Sequence, residues 1–155
     1  MSTQSLNSII GNQRAITSIK IAIEAARREG RLPRHMLLSG PGGLGKTTLA
    51  KLIAKELGGD FIRVHGPSIN RKNISDLITA LISLKEGDIF FIDEVHALPK
   101  EGMESLYEAM EEGQVSIMVP DNNGEAHKPI TINLNPCLFL SATTQPTKLE
   151  EPFKM

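Results

Sequence analysis

Gly40-Pro41-Gly42-Gly43-Leu44-Gly45-Lys46-Thr47 has the form G-x-x-x-x-G-K-[ST], the pattern with which a polypeptide cradles a nucleoside triphosphate. Three phosphates carry dense negative charge, and such a loop answers it with backbone N–H groups turned into a small concavity. Glycines at 40, 42, 43 and 45 supply backbone angles closed to other residues, and none places a Cβ in the way. Lys46 brings a point charge to the β and γ phosphates, and the Thr47 hydroxyl is suited to ligate Mg²⁺. The helix that begins here adds the positive end of its dipole. The run from Gly40 through Pro41, Gly42, Gly43, Leu44, Gly45, Lys46 and Thr47 to Thr48 is the expected nucleotide contact.

The flanks agree with that reading. Met36-Leu37-Leu38-Ser39 is a short buried strand entering the loop, and the segment from Thr48 to Leu57 is an amphipathic helix closed by Gly58-Gly59. Farther on, Asp88-Ile89-Phe90-Phe91-Ile92-Asp93-Glu94 is apolar throughout rather than alternating, the mark of a parallel strand buried on both faces. Ligands of α/β sheets sit beyond the carboxyl ends of strands. Asp93 is there to hold Mg²⁺ through its water shell, and Glu94 to polarise a water for attack on the γ-phosphate.

The remaining segments read as alternating helices and strands. Ile16, Ile19, Ile23 and Ala26 recur at helical spacing from Gln13 to about Arg28, with Asn12 as N-cap. Phe61 to His65 alternates as a strand, and a helix opening at Asn73 or Ser75 runs to about Leu84. From Pro99 to about Glu112, Met103, Leu106, Tyr107 and Met110 form one buried helical face. Residues 115–119 and 130–134 alternate with period two around the turn Pro120-Asp121-Asn122-Asn123-Gly124, a β-hairpin. Such a hairpin serves equally as a contact arm or as ordinary sheet extension. A last strand from Cys137 to Ser141 leads into Ala142-Thr143-Thr144-Gln145, with Cys137 as a buried thiol within it. Thr143 and Thr144 either present a hydroxyl to the γ-phosphate and its water or cap the next element.

Composition bounds the classes. The length of 155 residues suits one domain, and a net charge of −1 argues against a strong pull toward nucleic acid or anionic membrane. The basic residues from Arg14 to Arg34 read as a solvated helix end rather than a nucleic-acid patch. His35, His65, His96 and His127 lack metal-ligand spacing, so each is expected to be structural or exposed. A single cysteine, no apolar run of membrane-spanning length and no secretory segment point to the cytoplasm.

Taken together, Ile10-Gly11-Asn12, Leu37 through Ala50, Ile92-Asp93-Glu94-Val95-His96-Ala97-Leu98, Ala109 through Glu112 with the hairpin, and Ala142-Thr143-Thr144 resemble the AAA+ ATPases. Within them the chain is most similar to the RuvB family of Holliday-junction branch-migration helicases, from about Leu6 to Lys154. The resemblance implies a three-layer α/β sandwich with a parallel sheet ordered 5-1-4-3-2, lacking strand 5 and carrying an inserted hairpin. It implies ATP and Mg²⁺ as ligands, with Ile10 among the nucleotide contacts and Lys46, Glu94 and the sensor Thr144 as catalytic residues. It also implies a hexameric ring, with Glu111, Glu112 and Gly113 at the subunit boundary near a neighbour's nucleotide. The arm at 115–134 would dock the partner that recognises the four-way junction, through apolar outer side chains at Ile117 and Val119. DNA is a partner of the family, with little binding expected from this chain alone.

Three departures are visible. Met1-Ser2-Thr3 stands where relatives carry Leu-Arg-Pro, Gly42 replaces a loop proline, and the chain stops at Pro152-Phe153-Lys154-Met155. In the family an arginine finger, a fifth strand, a helical lid and a winged helix follow that point. The expectation is binding of ATP with slow turnover, since an arginine finger contributes ~10³–10⁵ in rate. An uncovered strand edge further predicts self-association or a low melting point. Two other readings stay open: a clamp-loader-like or helicase-loader ATPase, and a nucleotide-gated binding module without turnover.

Overall fold

The register of apolar residues turns into layers. A computed structural model describes residues 13–33, 35–40, 42 and 45–149. In helix α1 (Gln13–Arg28), Ile16, Ile19, Ile23 and Ala26 fall on one stripe and all four are buried. Asn12, the expected cap, lies outside the described residues. Strand β1 (Met36–Ser39) leads through the phosphate loop to α2 (Lys46–Leu57), which closes on left-handed Gly58. Then follow β2 (Phe61–His65), α3 (Ile74–Ile82), β3 (Ile89–Asp93) and α4 (Lys100–Glu112). Strands β4 (Gln114–Pro120), β5 (His127–Asn133) and β6 (Leu138–Thr143) complete the order.

The parallel strands β1, β6, β3 and β2 pair in that order in one four-stranded sheet. Counting parallel strands alone, this is 1-4-3-2, the expected arrangement without its fifth member. The central strands β3 and β6 are buried along almost their whole length because both their faces are covered. Ile89, Phe91, Leu138, Leu140 and Ala142 pack with α1 and α2 on one side. Phe90, Ile92 and Phe139 pack with α3 and α4 on the other. Phe61 stacks on Phe91 at 5.5 Å, and Phe90 meets Phe139 edge-on at 5.7 Å.

The end of α3 and the start of β6 differ from the sequence reading, while the start of α3 at Asn73 agrees with it. Helix α3 stops at Ile82 because Ser83 turns its hydroxyl back onto the Thr79 carbonyl at 2.7 Å. Asn73 occupies the N-cap position without capping; its side chain instead donates to the Ser68 carbonyl at 2.9 Å and braces the preceding loop. Cys137 lies one residue ahead of β6, where the Leu138 N–H donates to the Asp88 carbonyl at 2.9 Å. The thiol is half-buried, and burial together with the Asp88 carboxylate pushes its pKa up to about 12.

The hairpin forms a separate two-stranded sheet and does not extend the main one. Val115 pairs with Ile132, Ile117 with Ile130 and Val119 with Lys128, so these residues share the face that carries Val115 into the core. Ile117 and Val119 are half-buried on that face, whereas Met118 on the opposite face is 61% exposed. Glu108 of α4 holds the root, accepting from the Ser116 hydroxyl at 2.7 Å and the Ser116 N–H at 3.2 Å. At the tip the Asp121 carboxylate accepts from the Asn123 and Glu125 N–H groups, each at 3.0 Å.

Candidate nucleotide site

At the carboxyl ends of the parallel strands, Gly42, Gly45, Lys46, Thr47, Asp93, Glu94 and Thr144 line a cleft of about 430 Å³. The sequence brought these residues from distant stretches; parallel pairing of β1, β6 and β3 delivers them to one place. Gly45 caps α2 with φ 79°, a left-handed conformation that a side chain would strain. Gly42 needs no such freedom: its φ is not positive, and an added Cβ would meet the Thr144 methyl at an ordinary 4.0 Å. Lys46 Nζ donates to the Gly40 carbonyl at 2.9 Å, and the Gly40 N–H donates to the Thr143 carbonyl at 3.3 Å. The loop is thereby tied to β6. Thr48 is exposed and stands outside the lining, while Ile10, Pro41, Gly43 and Leu44 lie outside the described residues.

Where β3 ends, the chain changes hand. Glu94 has φ 53° and ψ 52°, and it is the one non-glycine residue with positive φ among those described. This turn takes Glu94 out of the strand, so its carboxylate meets Thr144, whose hydroxyl donates to Oε2 at 3.1 Å. The backbone beneath is close. A Cβ built on Gly66 would lie 2.2 Å from the Glu94 carbonyl oxygen. Only glycine fits there.

Two partners of the carboxylates were not singled out in the sequence. Arg63 Nη2 reaches Asp93 Oδ2 at 2.7 Å, with His65 Nδ1 at 3.8 Å from the same oxygen. The register explains this: His65 lies opposite Asp93 in the β2–β3 pair, and Arg63 shares its face. His96 is the other. Its Nδ1 lies 2.7 Å from Thr143 Oγ1 and its Nε2 3.5 Å from Glu94 Oε2, with a side chain only 9% exposed. It was expected to be structural or exposed; its closeness to two acidic positions in Asp93-Glu94-Val95-His96 was the available signal.

Glu111, Glu112 and Gly113 do not line this cleft. Glu111 and Gly113 line a second hollow of about 520 Å³ with His35 and Phe139, beside the amino-terminal ends of β1 and β6. That is the opposite end of the sheet from the cleft. His35 Nε2 lies 3.9 Å from Glu111 Oε1, and Glu112 is exposed at the end of α4. Among the described residues no helix is long and apolar enough to cross a membrane.

A family profile described as the Holliday junction DNA helicase RuvB P-loop domain matches residues 1–155. The chain belongs to the RuvB P-loop domain family. The RuvB subunit of the Holliday junction branch migration complex from Chlorobaculum tepidum is 40% identical over 152 residues, covering 97% of this chain and 43% of that protein. Its counterpart from Thermotoga maritima is 39% identical over 151 residues, covering 97% and 44%. A solved structure of a single-residue variant of Thermotoga maritima RuvB superposes with a TM-score of 0.83 at 36% identity, covering 99% of this chain and 46% of that one. The structure described as the Thermotoga maritima RuvB Holliday junction branch migration motor gives a TM-score of 0.78 at 35% identity, over 97% and 44%. This chain therefore spans less than half the length of the RuvB proteins it matches.

Proposed function

We propose that residues 1–155 are the large nucleotide-binding unit of a RuvB-like motor, which binds Mg-ATP and hydrolyses it to drive four-way DNA junctions. The observation that carries this reading is the convergence of Lys46, Thr47, Asp93, Glu94 and Thr144 on one cleft. A bound magnesium ion fits the donor set. The described residues contain no cluster of three or more His, Cys, Asp or Glu able to hold a metal alone. Mg²⁺ in phosphate sites takes one or two protein oxygens and completes its shell with water and phosphate. The Thr47 hydroxyl would be such an oxygen, and the Asp93 carboxylate would hold the ion through its water shell. When bound, the ion neutralises charge on the β and γ phosphates.

The side chains divide the remaining work. Lys46 supplies the point charge to the phosphates, and the loop N–H groups from Gly40 to Thr48 cradle them. Glu94 orients the attacking water and accepts its proton, while Thr144 holds the carboxylate and senses the γ-phosphate. The hydrogen bond from Thr144 to Glu94 favours turnover over a module that merely binds nucleotide, since binding alone has no need of a positioned carboxylate. An arginine from a neighbouring subunit in a hexameric ring completes the charge stabilisation. Glu111, Glu112 and Gly113 face that ring's subunit boundary, and the hairpin arm docks a junction-recognising protein through Ile117, Val119 and the exposed Met118.

Isothermal titration tests the nucleotide site: Lys46→Ala is expected to abolish saturable Mg-ATP binding while the chain keeps its melting temperature. Unchanged affinity would sink the assignment. For the arm, Met118→Asp is expected to abolish capture of a four-way-junction-binding protein with no change in ATP affinity; capture at wild-type level contradicts that docking surface.

A further inference from the structure

We propose that His96 is the positioning residue of Glu94, acting as a neutral imidazole that carries its proton on Nε2. The inference rests on the reading of Glu94 as the residue that orients water. It begins with the Thr143 hydroxyl, which belongs to a fully buried residue. Thr143 Oγ1 accepts from the Gln145 N–H at 2.9 Å, and an amide can only donate. The hydroxyl's own proton also needs an acceptor in this buried place. His96 Nδ1, 2.7 Å away, is that acceptor. A ring nitrogen that accepts carries no proton, so the neutral ring keeps its proton on Nε2.

That proton faces Glu94. Nε2 lies 3.5 Å from Oε2, longer than a tight hydrogen bond, so the attraction is chiefly that of an N–H dipole for a carboxylate. Thr144 donates to the same oxygen at 3.1 Å. Two donors therefore converge on Oε2 and leave Oε1 as the basic atom for water. Thr143 and Thr144 act together: Thr143 sets the tautomer of His96, and Thr144 bonds the carboxylate itself. The left-handed backbone of Glu94 brings the ring into place, because His96 follows in the short turn Val95–Ala97.

Nitrogen-15 NMR of the histidine-labelled chain at neutral pH tests the proton's position without nucleotide. The expected spectrum shows His96 with Nδ1 bare and Nε2 protonated, and Thr143→Val should lose that bias. A wild-type ring protonated on Nδ1, or on both nitrogens, overturns the proposal. Steady-state kinetics test the positioning role. Phe in place of His96 keeps the ring's bulk without either nitrogen, and His96→Phe is expected to lower kcat about 10–100-fold with KM and Mg-ATP affinity unchanged. His96→Gln can accept from Thr143 and donate to Glu94, so it should recover most of the rate. Equal kcat in His96→Phe, or a loss confined to KM, overturns the role. Absence of Mg-ATP binding in the wild type would instead refute the nucleotide reading, and the spectrum would still report the tautomer.

Discussion

Glu94 holds a backbone conformation that costs a non-glycine residue about 1–2 kcal/mol. Gly66 makes that conformation possible by lying under the Glu94 carbonyl without a Cβ. Gly66→Ala must push the two segments apart, and about 1–3 kcal/mol of destabilisation is expected. Denaturant midpoints give the size, and ATP hydrolysis should fall further than ATP binding. Asp93 and Glu94 were legible in the sequence because a continuous apolar run with two terminal carboxylates announces a central strand. Gly66, Arg63 and His96 were not, because their roles depend on which strands become neighbours. Cys137 offers a second test at this scale. Its thiol titrates near 9.0 when unperturbed and near 12 here, so folding favours the neutral form. That contribution is fully present below pH 9 and is lost as pH rises toward 12. Alkylation by iodoacetamide at neutral pH should be slow in the folded chain and fast in denaturant; equal rates would contradict a protected thiol.

Among the elements, the hairpin was half legible. Period-two alternation announced its strands, yet alternation cannot say which face meets the protein. The core side was decided by Val115, which is fully buried with Ile132 opposite it. Ile117 and Val119 follow on that same face, and the exposed apolar residue on the reverse is Met118. The root depends on α4 through Glu108, and this link was invisible in sequence because it joins separate elements. Glu108→Ala removes both of its bonds to Ser116. The expected cost is about 0.5–1.5 kcal/mol, read as faster hydrogen exchange at the Ser116 amide. Exchange at the α2 amides should stay as it was. Leu106 faces the other way, fully buried in the layer between α4 and the sheet. Leu106→Ala should cost about 2–5 kcal/mol in thermal or denaturant unfolding.

For the whole molecule, the order β1-β6-β3-β2 and the three layers followed from the resemblance, whereas composition and periodicity supplied only the elements. Among the described residues β1 pairs on one side, with β6. An edge strand of this kind presents unpaired backbone groups to any second chain. Sedimentation velocity is expected to show association that rises with concentration, and a monodisperse monomer across the range would count against it.

The most direct test compares Mg-ATP binding and hydrolysis in the wild-type chain and in Glu94→Gln. Glutamine preserves the shape of the side chain while removing its basicity. Slow hydrolysis by the wild type, undetectable hydrolysis by the variant and the same Mg-ATP affinity in both are expected. Equal hydrolysis in the two proteins would remove Glu94 from the chemistry and overturn its role as the base that activates water.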